Sequence, residues 1–193
     1  GHSPNVLVVH PSLPVKNVKQ LIAMAKARPG ALAFASNGGG SLSHLTAALF
    51  MQQAGVNLLH VPYRGAAPAV IDTVAGHVSL LFVQSGKLKA LAVTSAKRIS
   101  AAPQLPTVAE AALPGFDSTQ WWGAYGPAGM SADIVNRLNR ELNVILATAD
   151  MRKRLSADGA DPAGGTPADL AAHHRADFER WQKVIRDAGI KGE

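Results

Sequence analysis

From Asn5 to about Asp117, short apolar runs alternate with segments of helical periodicity, and the connections between them are only a few residues long. This alternation is the signature of an α/β sheet whose mostly parallel strands are joined by crossover helices packed on both faces. "NVLVVH" opens as a strand. "PVKNVKQLIAMAKARPG" follows with Val18, Leu21, Ile22 and Ala25 at helical spacing, and Pro29-Gly30 stops it. "ALAFAS", "NLLHVPY", "HVSLLF" and "KLKALAVTS" read as further strands, and "SHLTAALFMQQAG" and "APAVIDTVAG" as the helices between the first three of them. Pro68 falls in the first turn of its helix, where a missing N–H costs little.

One link departs from this pattern. "HVSLLF" and "KLKALAVTS" are joined by "VQSGK" alone, whereas a parallel pair needs a crossover of about a dozen residues or more. Either the two strands are antiparallel neighbours or a connecting helix is absent from the chain, and absence is the expectation.

After Thr119 the character changes. "QWWGAYGPAG" carries two tryptophans that, on one strand, must face opposite sides, one to the core and one to a cleft or to other material. Helices are expected at "ADIVNRLNRELNVILA", with Ser131 and Asp133 at its start, and at "ADMRKRLSADG". A last helix runs from Thr166-Pro167-Ala168-Asp169 to about Ala188, opened by an N-cap, a proline at the first position and an acid in the first turn.

Composition narrows the function classes. No apolar run approaches the roughly 20 residues of a membrane span, and any export signal is expected to lie outside the chain. Gly1 and His2 look like a tag remnant. With no cysteine, disulfides, thiolate metal sites and cysteine nucleophiles are excluded. The net charge of +6 is spread through helical patterns among acids, and the densest cluster, "MRKRLSAD", reads as a solvated helix face and not as a nucleic-acid footprint.

The chemistry-bearing stretch is "FASNGGGSLSHLTAALF", a strand that passes through three glycines into a helix. Such a turn places the backbone N–H groups of Gly38, Gly39, Gly40 and Ser41 around a helix N-terminus, where the peptide dipoles favour an anion. Ser36, Asn37, Ser41 and Ser43 add hydroxyl and amide donors. The stretch lacks the Lys-Ser/Thr pair of a P-loop and the G-x-G-x-x-G spacing, so a carboxylate suits it better than a nucleotide. A second reading stays open, in which the glycines only make a tight turn capped by Ser41. His44, one turn into the helix, is either a packed or capping residue or a ligand contact. In "VPYRG", Tyr63 and Arg64 end a strand at the sheet edge where α/β folds place ligands; the alternative is a surface turn.

His173 and His174 are adjacent, so they do not share a helix face and are expected to point to solvent. No G-x-S-x-G, no H-E-x-x-H and no carboxylate pair near the glycine turn supports catalysis, and neither a catalytic residue, a metal nor a cofactor is expected. A small α/β enzyme acting on an anionic substrate at Gly38–Ser41 with His44 is the rival reading.

"LVVHPSLPVKNVKQLIAMAKARPGALAFASNGGGSLSHLTAALF", "HVPYRGAAPAVIDTVAGHV", "GKLKALAVTSAKR", "LPTVAEA", "PGF" and "PAGGTP" occur in an order that resembles the substrate-binding receptors of tripartite tricarboxylate transporters, the Bug family. The resemblance runs from about Ser3 to Ile190. It implies a type II periplasmic-binding-protein-like lobe, with residues 3–118 as the second αβ lobe and residues 119–193 as a crossover strand and C-terminal helices associated with the first lobe. Most of that first lobe is expected to be missing, as is the helix that the family carries before the Gly-Lys pair of "VQSGK". The implied function is periplasmic capture of a small organic carboxylate for membrane transporter subunits. The implied contacts run from Ser36 to His44 and include the "VPYRG" edge. Self-association through exposed cleft surface is expected of such a chain.

Overall fold

The computed structural model describes residues 1–83 and 88–191. The chain divides into two compact units, one of Pro4–Thr119 together with the residues from Lys183 onward, the other of Gly1–Ser3 and Gln120–Gln182.

In the larger unit β2 (Val6–Val9), β3 (Ala33–Ser36), β4 (Leu59–Pro62), β5 (Leu80–Val83) and β6 (Lys89–Val93) form one sheet in the order β4-β3-β5-β2-β6. β3 pairs in parallel with β4 and β5, while β2 runs antiparallel to both β5 and β6. The sheet is therefore mixed: four strands share a direction and β2 opposes them. β5 and β6 flank β2 on opposite sides and run parallel to each other, so they are not antiparallel neighbours. Theirs is the relation that calls for a crossover. The helix expected to be absent there falls at residues 84–87, outside the described residues.

Alternation along the strands sends successive side chains to opposite faces. Val8, Ala35, Leu81 and Val83 pack with Ala69 and Val70 of α3 (Ala66–Val74) on one face. Phe82 points to the other face, where Phe50 of α2 (Leu42–Ala54) meets it at 6.0 Å between ring centroids. All four residues of β5 are buried, which is why its sequence is continuously apolar. α1 (Val18–Ala27) is capped by Asn17, whose Oδ1 accepts the Gln20 N–H at 3.0 Å, and it buries Val18, Leu21 and Ala25.

The short helix α4 (Val108–Ala111) is held by a capping box: the Glu110 N–H donates to Thr107 Oγ1 at 3.0 Å and the Thr107 N–H to Glu110 Oε2 at 3.2 Å. The bond from Arg98, followed by that from the Thr107 backbone, lowers the pKa of Glu110. Thr107→Ala is expected to lose about 1 kcal/mol, read from the midpoint of urea unfolding.

In the smaller unit β1 (His2–Pro4) pairs with β7 (Thr119–Trp121), and α5 (Ala132–Ala147), α6 (Ala149–Ala157) and α7 (Pro167–Asp187) follow, with Pro4, Thr119 and the end of α7 falling in the larger unit. Gly1 and His2 are tied into the smaller unit by backbone hydrogen bonds. The His2 N–H donates to Asp161 O at 3.0 Å, the Asp161 N–H returns to His2 O at 2.9 Å, and the Trp122 N–H reaches Gly1 O at 2.9 Å. Trp121 is half-buried with its indole N–H on Asp177 Oδ2 at 2.8 Å, while Trp122 is 51% exposed. His173 and His174 are exposed at the ring of Trp121. Asn139 and Asn143 of α5 both donate to the Gly165 carbonyl, which pins the "PAGGTP" loop.

Candidate functional site

β3 ends at Ser36, and within five residues the chain reverses and enters α2, capped by Ser41. Gly38 at φ 128° and Gly40 at φ 69° make this possible, because both lie in the region that a Cβ disfavours. Ser41 accepts the His44 N–H at 3.4 Å and donates to the Gly38 carbonyl at 2.8 Å. Buried Ser43 takes the Asn37 N–H at 3.0 Å, with its Oγ 3.1 Å from that of Ser41.

Hydrogen bonds within the turn decide which amides are left without a protein partner. The Gly38 N–H goes to Ser36 Oγ at 3.3 Å, that of Gly40 to His44 Nδ1 at 3.1 Å, and that of Ser41 to the Gly38 carbonyl at 3.3 Å. Of the four amides expected to be free, three are thus consumed by the turn itself. Among the described residues, the amides of Gly39, Leu42 and Ser43 bond no other protein group. They lie in and just beyond the turn, where the helix dipole is strongest.

The "VPYRG" edge adjoins the turn through its backbone. The Tyr63 N–H donates to Ser36 O at 3.0 Å, and a Cβ on Gly38 would stand 3.5 Å from Tyr63 O. The Tyr63 side chain turns away to the α3 face, its hydroxyl donating to Asp72 at 2.8 Å. Burial first, then the bond and the charge of Asp72, push its pKa up to about 12. Arg64 is exposed and forms no ion pair among the described residues.

One site residue was not foreseen. His60 of β4 is the register partner of Phe34, and its ring packs against both Phe34 and His44, at 4.8 and 3.9 Å between centroids, while Phe34 and His44 are 6.2 Å apart. Its Nε2 is 2.7 Å from Ser36 Oγ. A histidine inside an apolar strand one residue from "VPYRG" was the available signal. The Ser36–His60 pair does not form a hydrolytic dyad: Ser36 is fully buried, and no carboxylate orients the imidazole. Among the described residues no three His, Cys, Asp or Glu side chains gather to hold a metal.

Burial, then the nearby His44, hold the pKa of His60 down to about 4, and burial lowers that of His44. Both rings bind protons more weakly in the folded state than in the unfolded one. Stability is therefore complete above the unfolded value of 6.5 and falls as the pH drops from there toward about 4. His60→Phe keeps an aromatic in the stack and is expected to reduce the drop in urea midpoint across that window.

An α/β unit with unpartnered amides at a helix N-terminus, beyond the carboxyl end of its strands, has the construction of a small-anion-binding unit. Residues 1–190 match the family described as "Tripartite tricarboxylate transporter family receptor", and the chain belongs to that family, one of receptors and not of enzymes. BugT of Bordetella pertussis is 36% identical over 99% of this chain and 61% of its own length. R. palustris Rpa4515, solved with adipate, is 37% identical with a TM-score of 0.83 over 98% of this chain and 66% of that one. MatC from Rhodopseudomonas palustris, solved with bound malate, is 28% identical with a TM-score of 0.77 over 95% and 67%. The chain spans about three-fifths of the length of the curated relatives it matches.

Proposed function

We propose that the intact protein is a periplasmic receptor that captures a small organic dicarboxylate and delivers it to the membrane subunits of a tripartite tricarboxylate-type transporter. The observation that carries this reading is that the amides of Gly39, Leu42 and Ser43, at the start of a 13-residue helix, bond no other described protein group. Adipate and malate in the two related structures support the ligand class. One carboxylate of the ligand accepts from these amides, with Ser41, Asn37 and Arg64 at the margin; Ser36, Gly38, Gly40, Ser43 and His44 shape the turn, and Tyr63 lends it backbone. Residues 3–118 serve as the second αβ lobe, and residues 119–193 as the crossover strand and C-terminal helices. No helix among the described residues is long and apolar enough to cross a membrane.

A clamp gains affinity by burying its ligand, and one lobe leaves the ligand in water. The 193-residue chain is therefore expected to bind adipate or malate with a Kd of about a millimolar or weaker. In a 15N NMR titration the amides of Gly39, Leu42 and Ser43 should shift most. Shifts elsewhere would move the site, and a micromolar constant by calorimetry would show that this chain already encloses its ligand. Trp122 and the α5 row Ile134, Leu138, Leu142 and Ile145 are exposed, which supports self-association of this chain at high concentration. A monomeric mass by light scattering would oppose it.

A further inference from the structure

The ring stack under the glycine turn does more than fill space. Phe34, His60 and His44 come from β3, β4 and α2, and each imidazole touches an atom that shapes the turn. His44 Nδ1 accepts the Gly40 N–H at 3.1 Å. A backbone amide can only donate, so this nitrogen carries a lone pair and the neutral ring keeps its hydrogen on Nε2. The proton that would charge His44 has one place to go, and that place is the atom the turn uses. His60 acts through Ser36, whose Oγ sits 2.7 Å from Nε2 and also contacts the Gly38 carbonyl at 3.1 Å and the Gly38 N–H at 3.3 Å.

We propose that His44 is a positioning residue that holds the glycine turn in its observed shape only while its ring is neutral, so that protonation of His44 releases Gly40, with His60 supporting the turn through Ser36. The surroundings favour this response. The nearest ionisable side chains along β4 and its exit are Tyr63, committed to Asp72 on the α3 face, and exposed Arg64. β3 contributes Phe34 and Ser36, and the start of α2 contributes Ser41 and Ser43, none of them charged. Among the described residues no carboxylate shifts either imidazole, and the charge felt by His60 is that of His44. With ring centroids 3.9 Å apart, one imidazolium opposes the other. The consequence for a ligand rests on the carboxylate reading above, since releasing Gly40 disperses the amides that receive it. The response of the turn itself does not.

The test is an NMR titration of the ligand-free chain from about pH 7.5 to about pH 4.5, following the Gly40 amide and the ring protons of His44. The Gly40 amide should titrate with the midpoint of His44, below 6.5, and its hydrogen-exchange protection factor should fall about fivefold across that midpoint, the worth of one hydrogen bond. In His44→Phe the aromatic ring is kept but the acceptor of the Gly40 N–H is gone, so the Gly40 amide should be poorly protected already at about pH 7.5 and show no titration step. A merely structural His44 would leave the Gly40 amide of the parent chain without a titration step. A Gly40 amide indifferent to His44 ionisation, or one that still titrates with the same protection change in His44→Phe, overturns the proposal. Adipate added at about pH 7.5, where both rings are neutral, tests the carboxylate reading alone. Failure to shift the Gly39, Leu42 and Ser43 amides there would sink that reading and leave the proton response standing.

Discussion

Phe50→Ala is expected to remove about 3–5 kcal/mol of folding stability, seen as a lower urea midpoint with an unchanged slope. Phe50 is fully buried on α2, tilted against Phe82 of β5 at 6.0 Å and edge-on to Phe116 at 6.3 Å. It is the side chain through which α2 meets both the sheet and the segment leading to β7. Truncation leaves a cavity lined by two other rings, and backbone packed this tightly closes only part of such a void. The proposed anion site would be disturbed with it, because the unpartnered amides of Leu42 and Ser43 belong to the first turn of the same helix. An apolar residue of similar size on the other helical layer serves as control. Ile71 of α3 is 66% exposed, and Ile71→Ala is expected to stay within about 0.5 kcal/mol of the parent. Equal losses for the two would mean that α2 is not seated on the sheet by its aromatic cluster.

Local chemistry was legible in the chain, and pairing was not. The glycine turn, the Ser41 cap and the helices on both faces follow from residue types and spacings that one strand or helix carries by itself. The direction of β2 does not, since "NVLVVH" reads equally well in either sense and only its antiparallel ladders to β5 and β6 settle it. His60 escaped for the same reason. Its significance comes from lying opposite Phe34 in the β3–β4 register and under His44, two neighbours that sequence separation hides. The free-amide expectation failed on short-range bonding. Ser36 and His44 stand two and four residues from the glycines whose N–H groups they accept, a competition that side chains beside a turn commonly win. Thr107-x-x-Glu110 was written plainly as a capping box in "LPTVAEA" and gave α4 its start.

Recognition of a carboxylate at the turn, as proposed above, would be dipolar. Burial lowers the pKa of both histidines, Tyr63 is engaged with Asp72, and Arg64 alone among the candidate contacts carries a charge. A carboxylate there would be met by amides and hydroxyls, whose hydrogen bonds gain strength as water is excluded. On that reading the unpartnered amides matter more than the chain's overall +6 charge, which is dispersed through helical patterns and screened by salt.

The second large effect is expected from Thr94→Val, at about 2 kcal/mol. The substitution keeps the shape and removes one hydroxyl, so the loss isolates hydrogen bonding from packing. The Thr94 hydroxyl is fully buried, accepts the Asn5 N–H at 3.0 Å and donates to the Ser118 carbonyl at 2.5 Å. Ser118 Oγ in turn lies 2.6 Å from Thr46 Oγ1 on α2. One hydroxyl thus links the start of β2, the segment before β7 and, through Ser118, the helix that carries the glycine turn. Valine would leave the Asn5 amide without its side-chain acceptor, in a place where water does not reach. Asn5 and Ser118 also stand next to the points where the backbone leaves the larger unit, between Ser3 and Pro4 and between Thr119 and Gln120. The amides of Asn5 and Ser118 should therefore lose hydrogen-exchange protection in Thr94→Val before the centre of the sheet does. If protection fell evenly across β2, β3 and β5 instead, the hydroxyl would be supporting the sheet as a whole and not anchoring the chain at its exits.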